Sequence, residues 1–436
     1  MTSAEAPATS HHSVCPLDCA DTCSLSIEVA GGRVQKVRGS DANPFTRGKI
    51  CAKVAQGLPE QVHGSRRLLT PLLRNGPKGG GSFRQASWDE ALDVIHRRFS
   101  EFIQDHGSEA IAPLTYGGPM GLLAGGSMDM RFFHRLGASL VDSTPLCAGT
   151  SSAAWDAVFG DVGGIAYSEL EHSQLIVVWG NNITACNLHL TTLIRDARKR
   201  GAKLVVVDPK RIRIAGDADL HLPLLPGTDV VLAYAVAGLL AEEGGLDRDF
   251  IAQHVSGAEA FLAEAARYSP QRAADICGLA EEDIRLFAKW WRELSPAAIS
   301  VGVAPERNRN GGSGLRAAFA LPALTGNFGR PGAGVCDVSG YFPIDKAALR
   351  RPDLAPEGLR EFNVLDLPRH ILDPGDQQPV KAVFIYNHNP VAVHPRQGDM
   401  CAALASEQLF VVGSDVSMTD SLAYADVILP ASTSLE

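Results

Sequence analysis

The sequence of 436 residues lacks several common features, and each absence removes a class of function. No run of about 18 uninterrupted apolar residues occurs, so no membrane-spanning helix is expected. Positive charge is not in excess. The formal net charge of -9 at pH 7 removes the basic footprint of a nucleic-acid binder. The opening MTSAEAPATSHHSV has neither the basic n-region nor the apolar h-region of an export signal, and a short disordered lead-in is expected there. There is no G-x-G-x-x-G dinucleotide fingerprint and no G-x-x-x-x-G-K-[ST] phosphate loop. The C-x₂-C-x₂-C run of ferredoxins is missing as well.

What is present is an ordinary globular composition, 45% hydrophobic and 20% charged. The length suits roughly two to four domains. Nine cysteines, an odd number, fit a compartment that keeps thiols reduced, so a cytoplasmic location is expected.

Four of those cysteines are grouped. Cys15, Cys19 and Cys23 share the run CPLDCADTC, and Cys51 follows in GKICAK. A cubane iron–sulfur cluster takes one thiolate per iron corner, and one loop reaches three corners more readily than four. Structural zinc usually takes its thiolates as two short pairs, which fits a three-plus-one split less well. Zinc, or unrelated thiols, remain the other readings of the spacing.

Alternation in SLSIEVA and RVQKVRG around Gly31-Gly32 predicts a small β-hairpin between the three-cysteine loop and Cys51. SWDE predicts a helix start, with Ser87 as cap and Glu90 completing a capping box. Further on, strand and helix patterns alternate. QLIVVWG, a helix ending near Gly201, and KLVVVDP form a βαβ unit, hence a parallel sheet. Helices are expected over 229–242, over 280–294 and from Leu315, with AAISVG as another strand. VKAVFIYN, QLFVVGSD and ADVILP repeat the style. The proline-rich, polar stretch 345–378 reads as a surface excursion.

Open parallel sheets bind ligands beyond the carboxyl ends of their strands. Those rims carry Gly180, Asn181 and Asn182, then Asp208-Pro209, then Asn387, His388, Asn389 and Pro390, then Ser414-Asp415. A rim Asp can accept two hydrogen bonds from a ribose or a guanine edge. Any one such residue also suits a plain turn. The repetition over four rims points to nucleotide binding.

The combination resembles the molybdopterin oxidoreductases of the dimethyl-sulfoxide-reductase type, which include formate dehydrogenases, nitrate reductases and thiosulfate reductases. The resemblance rests on CPLDCADTC, GKICAK, SWDEALDVI, LCAGTSSAAW, VVWGNN, RKRGAKLVVVDPKR, LPLLPGTD, LPALTGNFGRPGAG, IYNHNP and SDVSMTDSLAYADVILP, in that order. It implies an α/β fold in which a small N-terminal β iron–sulfur domain (1–60) precedes two interleaved, Rossmann-like parallel-sheet regions. These are 61–142 with 319–436, and 143–318. It implies a [4Fe–4S] cluster on Cys15, Cys19, Cys23 and Cys51, with Lys53 between cluster and pterin. It implies molybdenum or tungsten held by a bis(molybdopterin guanine dinucleotide) and ligated by Cys147, a soft thiolate suited to that metal.

The same resemblance places Asn182, Asp208, Gly227 and Asp229 at one dinucleotide and Asn389, Asp415 and Thr419 at the other. Arg316 matches a substrate arginine. Ala148 stands where formate dehydrogenases carry a histidine, which argues against formate. The implied activity passes electrons between a small metal-bound substrate and the cluster, then to an external carrier or partner redox subunit. The alternative is a non-catalytic iron–sulfur electron-transfer subunit on the same fold. The family continues past VILP into a C-terminal β-barrel, so the sequence is expected to be C-terminally truncated, with poor cofactor retention.

Overall fold

The structure, a computed structural model, describes residues 7–118, 121, 125–336 and 344–436. It divides into two compact units. One comprises residues 1–18, 22–146 and 343–436, and the other residues 19–21 and 147–342.

The second unit is built on a five-stranded, all-parallel sheet. Its strand order is Leu220–Leu222, Lys203–Val207, Leu175–Trp179, Ala297–Val301, Gly334–Val335. All five residues of Leu175–Trp179 are buried, as expected of a central strand covered on both faces. The crossover helix Leu190–Lys199 joins it to Lys203–Val207, which is the βαβ unit read from the sequence. Helix Asp229–Glu242 is apolar almost all round and is buried between its neighbours. Helix Gly311–Leu324 starts four residues before the expected Leu315. It runs unbroken past residue 318, because Ala317, Ala318, Leu321 and Leu324 all enter this unit's core.

The strand order reverses between Leu175–Trp179 and Ala297–Val301. That reversal opens a crevice at their carboxyl ends. Two glycines let the backbone close up there. A Cβ on Gly302 would lie 2.3 Å from the Gly180 carbonyl oxygen, and one on Gly180 would lie 2.5 Å from Pro305 Cδ. Gly180 also has φ +56, a conformation that costs other residues steric strain.

The first unit holds a six-stranded sheet in the order Phe83–Gln85, Leu72–Arg74, Val427–Pro430, Phe410–Asp415, Ala382–Tyr386, Ile111–Thr115. The last four strands are mutually parallel, and the first two are antiparallel additions. Helix Trp88–His106 packs on this sheet through Ala91, Ile95, Phe99 and Phe102. Ser87 caps it by accepting from the Glu90 amide, but the Glu90 carboxylate turns to Arg84 instead of completing the capping box.

The same unit carries a three-stranded antiparallel sheet, Thr9–Val14, Ser24–Ala30 and Arg33–Gly39, followed by helix Ala52–His63. Gly31 and Gly32 make the expected hairpin turn.

The fold class is the one expected, and two further local expectations are corrected. The lead-in is not disordered from Thr9 onward: Thr9–Val14 pairs with Ser24–Ala30 as an edge strand. It escapes hydropathy because nearly every side chain is exposed; main-chain pairing holds it, helped by the Thr9 hydroxyl on the Val29 carbonyl and the Ser10–Ser26 hydroxyl pair. The stretch 345–378 is only partly a surface excursion. Phe362, Val364 and Leu367 enter the core beneath the six-stranded sheet.

Candidate functional site

The thiol domain comes first. Cys15 and Cys23 are drawn together by a 2.8 Å hydrogen bond from the Cys15 amide to the Cys23 carbonyl. Both pack with Cys51 against a core of Leu25, Ile27, Val37, Val54 and Leu58. Cys51 is the N-cap residue of helix Ala52–His63, and its side chain makes no capping bond. That leaves the thiol free of backbone duty at the end of a helix where negative charge is favoured. Lys53 stands exposed in the first turn of the same helix. Among the described residues, no three His, Cys, Asp or Glu side chains converge as ligands of one ion do. A cubane does not require such convergence, since each thiolate takes a separate iron.

Cys19 belongs to the other unit, with Asp21. The segment 186–189 grips this short run. Cys19 Sγ lies 3.3 Å from the Cys186 carbonyl oxygen, and the Asp21 carboxylate accepts from the His189 amide at 3.3 and 3.4 Å. Burial raises the Asp21 carboxyl above its usual range, and the charge of His189 opposes that shift.

Cys147 is half-buried, two residues before helix Gly149–Phe159, whose N-cap is Ala148. Sequence reasoning missed what holds that helix start. Glu306, 8% exposed, accepts from both the amide and the hydroxyl of Ser151 at 2.8 Å. It lies in the single turn Pro305–Arg307, just beyond strand Ala297–Val301 at the sheet crevice. The second oxygen, Oε1, is buried without a hydrogen-bond partner, and the Arg307 guanidinium stands 3.7 Å away. A carboxylate capping the third helical amide from a separate segment combines two charge-assisted bonds with the helix dipole. Glu306→Ala is therefore expected to cost about 3 kcal/mol in urea unfolding, and Glu306→Gln much less, since the amide oxygen still accepts.

The structure places the rim residues of the five-stranded sheet at or just beyond its strand ends. Asn182 follows strand Leu175–Trp179 and accepts from the Thr184 hydroxyl at 2.9 Å. Asp208 follows Lys203–Val207 and accepts from the Lys210 amide at 2.8 Å. Gly227 has φ +85 in the turn before helix Asp229–Glu242. Asp229, 8% exposed, accepts from Trp179 Nε1 at 2.8 Å. Burial holds its carboxyl above the usual range, and the nearby Asp208 adds to the shift. Arg316 is exposed on helix Gly311–Leu324. Burial raises the Tyr234 phenol, with Glu264 and Tyr268 adding and the charge of Arg316 opposing.

The other rim has the same character. Asn389 Oδ1 accepts from the Ser421 hydroxyl at 2.6 Å and from its amide at 3.2 Å. Asp415 ends strand Phe410–Asp415 and accepts from the Val416 amide, and burial raises its carboxyl too. Thr419 accepts from the Leu422 amide. Between these lies a pair that residue types alone did not reveal. His388 and His394, 7% and 6% exposed, face each other with Nε2 atoms 2.7 Å apart. Burial pushes their pKa values down to about 3 and about 4. His394 also lines a cavity of about 170 Å³ with Asp366, Arg369, Arg396 and Asp399.

A small thiol-bearing β domain followed by parallel sheets with buried carboxylates at their rims defines an α/β protein of the class that binds ligands at strand ends. Comparison with known proteins makes this specific: the chain belongs to the molybdopterin oxidoreductase family. The family's main domain matches residues 67–436, and its Fe4S4 domain matches residues 8–62. These are the domains of the molybdopterin and [4Fe–4S] cofactors expected from the sequence.

The chain is 37% identical to a probable oxidoreductase, YoaE, of Bacillus subtilis over 97% of its own length and 62% of that protein. It is 27% identical to formate dehydrogenase H of Escherichia coli, over 96% of this chain and 62% of the other. The acetylene hydratase of Pelobacter acetylenicus shares the fold, with a TM-score of 0.85 at 24% identity, covering 98% of this chain and 63% of that one. The chain thus spans about three-fifths of the length of these relatives. No helix among the described residues is long and apolar enough to cross a membrane.

Proposed function

We propose that this chain is the cofactor-bearing part of an oxidoreductase. Cys147 would ligate a molybdenum or tungsten ion carried by a bis(molybdopterin guanine dinucleotide). Cys15, Cys19, Cys23 and Cys51 would hold the cluster. When bound, the metal supplies two-electron exchange with a small substrate, and the cluster supplies one-electron exchange with an external carrier or partner redox subunit.

The observation that carries this reading is the seat of Cys147. A thiol just before a helix whose start is held by buried Glu306 beside the sheet crevice would make a fixed, soft ligand. The raised carboxyls of Asp229 and Asp415 support the dinucleotide sites. Burial disfavours the charged form of each, and the two N–H groups of a guanine edge would favour it again. Asn182, Asp208 and Gly227 complete the first site, and Asn389 and Thr419 the second. Lys53 supplies positive charge in the helix turn after Cys51. Arg316 enters only as an exposed cation available to an anionic substrate. Ala148 brings no proton-handling group next to Cys147, so formate is not proposed as the substrate.

Metal analysis of protein expressed from the complete reading frame tests the reading. Iron together with molybdenum or tungsten is expected. Cys147→Ala should keep the iron and lose turnover by at least about a thousandfold. Iron without either heavier metal in the unaltered protein would favour the non-catalytic electron-transfer subunit.

A further inference from the structure

Asn187 sits inside the segment that grips the cluster loop. Its neighbours are all engaged there: the Cys186 carbonyl oxygen with Cys19, and the His189 amide with Asp21. Asn187 itself is 2% exposed, and neither Nδ2 nor Oδ1 has a hydrogen-bond partner. One helical turn on, the Thr191 hydroxyl is also buried without a partner. A fully buried, wholly unsatisfied amide is costly, roughly 1–3 kcal/mol for each lost bond. Native proteins keep few such groups, and a missing ligand is one of the standard reasons.

The chemistry around the amide narrows the choice of ligand. The atom this segment holds from the cysteine loop is the Cys19 sulfur, 3.3 Å from the carbonyl oxygen of Cys186 directly before Asn187, and the proposed function makes it a cluster thiolate. Sulfur in a reduced [4Fe–4S] cluster carries negative charge and accepts hydrogen bonds. Such bonds stabilise the added electron and set the potential. We propose that Asn187 Nδ2–H donates to sulfur at the Cys19 corner of the cluster and raises its reduction potential. Asn187 is a positioning and tuning residue here, since it touches no substrate. This inference deepens the proposed function and rests on Cys19 being a cluster ligand.

The test is an EPR-monitored redox titration of the full-length holoprotein, with iron and pterin contents measured alongside. Asn187→Leu should shift the reduction equilibrium about tenfold toward the oxidised cluster, or about 59 mV more negative for one electron, with iron unchanged. An unchanged potential at full iron content overturns the proposal. So does a loss of pterin at constant potential, which would mean that the amide serves the dinucleotide.

Wild-type protein labelled with ¹⁵N-asparagine gives a readout independent of any variant's folding. The reduced cluster should show coupling to one exchangeable proton and to a ¹⁵N nucleus, and the absence of both overturns the inference. A Cys19→Ala protein that keeps its cluster would overturn the underlying assignment instead.

Discussion

Cys51→Ala protein is expected to lose the visible absorbance that dithionite bleaches in the parent, and its iron should fall about tenfold. Two effects act together. The first is ligand loss: one iron corner is left without its thiolate, at a site where the remaining thiols cannot move up because Cys15 and Cys23 are fixed by their shared backbone bond.

The second effect is on the fold. The thiol domain is small, and its core consists of Cys23, Leu25, Ile27, Val37, Val54 and Leu58 with a few half-buried neighbours. A core of that size needs a staple, and a metal centre is the usual one. The five-stranded unit, by contrast, buries dozens of apolar side chains. Limited proteolysis of the variant should therefore cut within residues 8–62 while the segment 147–336 resists. Cys401→Ala is the control, since that thiol packs beside Tyr424 under the other sheet. Unchanged iron and colour in Cys51→Ala would remove Cys51 from the ligand set.

Mild acid should destabilise the six-stranded unit through the His388–His394 pair. The sign follows from the direction of the shifts. Both imidazoles are neutral in the folded protein, with pKa values near 3 and 4, whereas the unfolded chain takes protons near 6.5. Between those limits the unfolded state binds more protons, so stability falls as pH falls below about 6.5 and is unaffected above it. The expected loss is about 2 kcal/mol for each histidine by pH 5.

Other groups act on the same range. Arg369, Arg396, Asp366 and Asp399 line the cavity with His394, two cations beside two carboxylates, and burial is the cause of the His394 shift. The raised carboxyls of Asp229 and Asp415 take up protons in the folded state and act against the loss. A difference measurement isolates the pair. Urea midpoints of the parent should drop between pH 7.5 and pH 5, and those of a His388→Leu, His394→Phe variant should drop much less. Equal drops in both proteins would show that the pair is not the sensor.

Much of this architecture could be read directly from residue order. The central strands are continuous apolar runs, such as LIVVW at 175–179, because both of their faces are covered. Their carboxyl ends follow at once in the chain, so Asn182, Asp208, Asn389 and Asp415 could be placed on rims before any coordinates. The cysteine spacing was equally direct.

What escaped was non-local or had no apolar pattern. Glu306 meets Ser151 across 155 residues, and nothing in the run PERN distinguishes a buried cap from a surface acid. Asn187 is defined by the bonds it lacks, which no sequence pattern encodes. His388 was visible on its rim, but its partner lies beyond a short helix whose turn brings the two rings together. Thr9–Val14 pairs chiefly through backbone groups and leaves nearly all its side chains exposed, so hydropathy could not find it.

The six-stranded sheet also imposes a schedule on synthesis. Strand Ile111–Thr115 pairs with Ala382–Tyr386, so the five-stranded sheet of the other unit is made between the two. At about 5–20 residues per second, roughly 15–50 s pass before that neighbour leaves the ribosome. Through that interval the nascent chain carries a strand with four of five side chains destined for burial and an unpaired edge. The inserted unit has its own core and can fold within that time. The first unit closes only afterwards, which makes the late strands the step at which a slow ribosome or a missing chaperone does most harm.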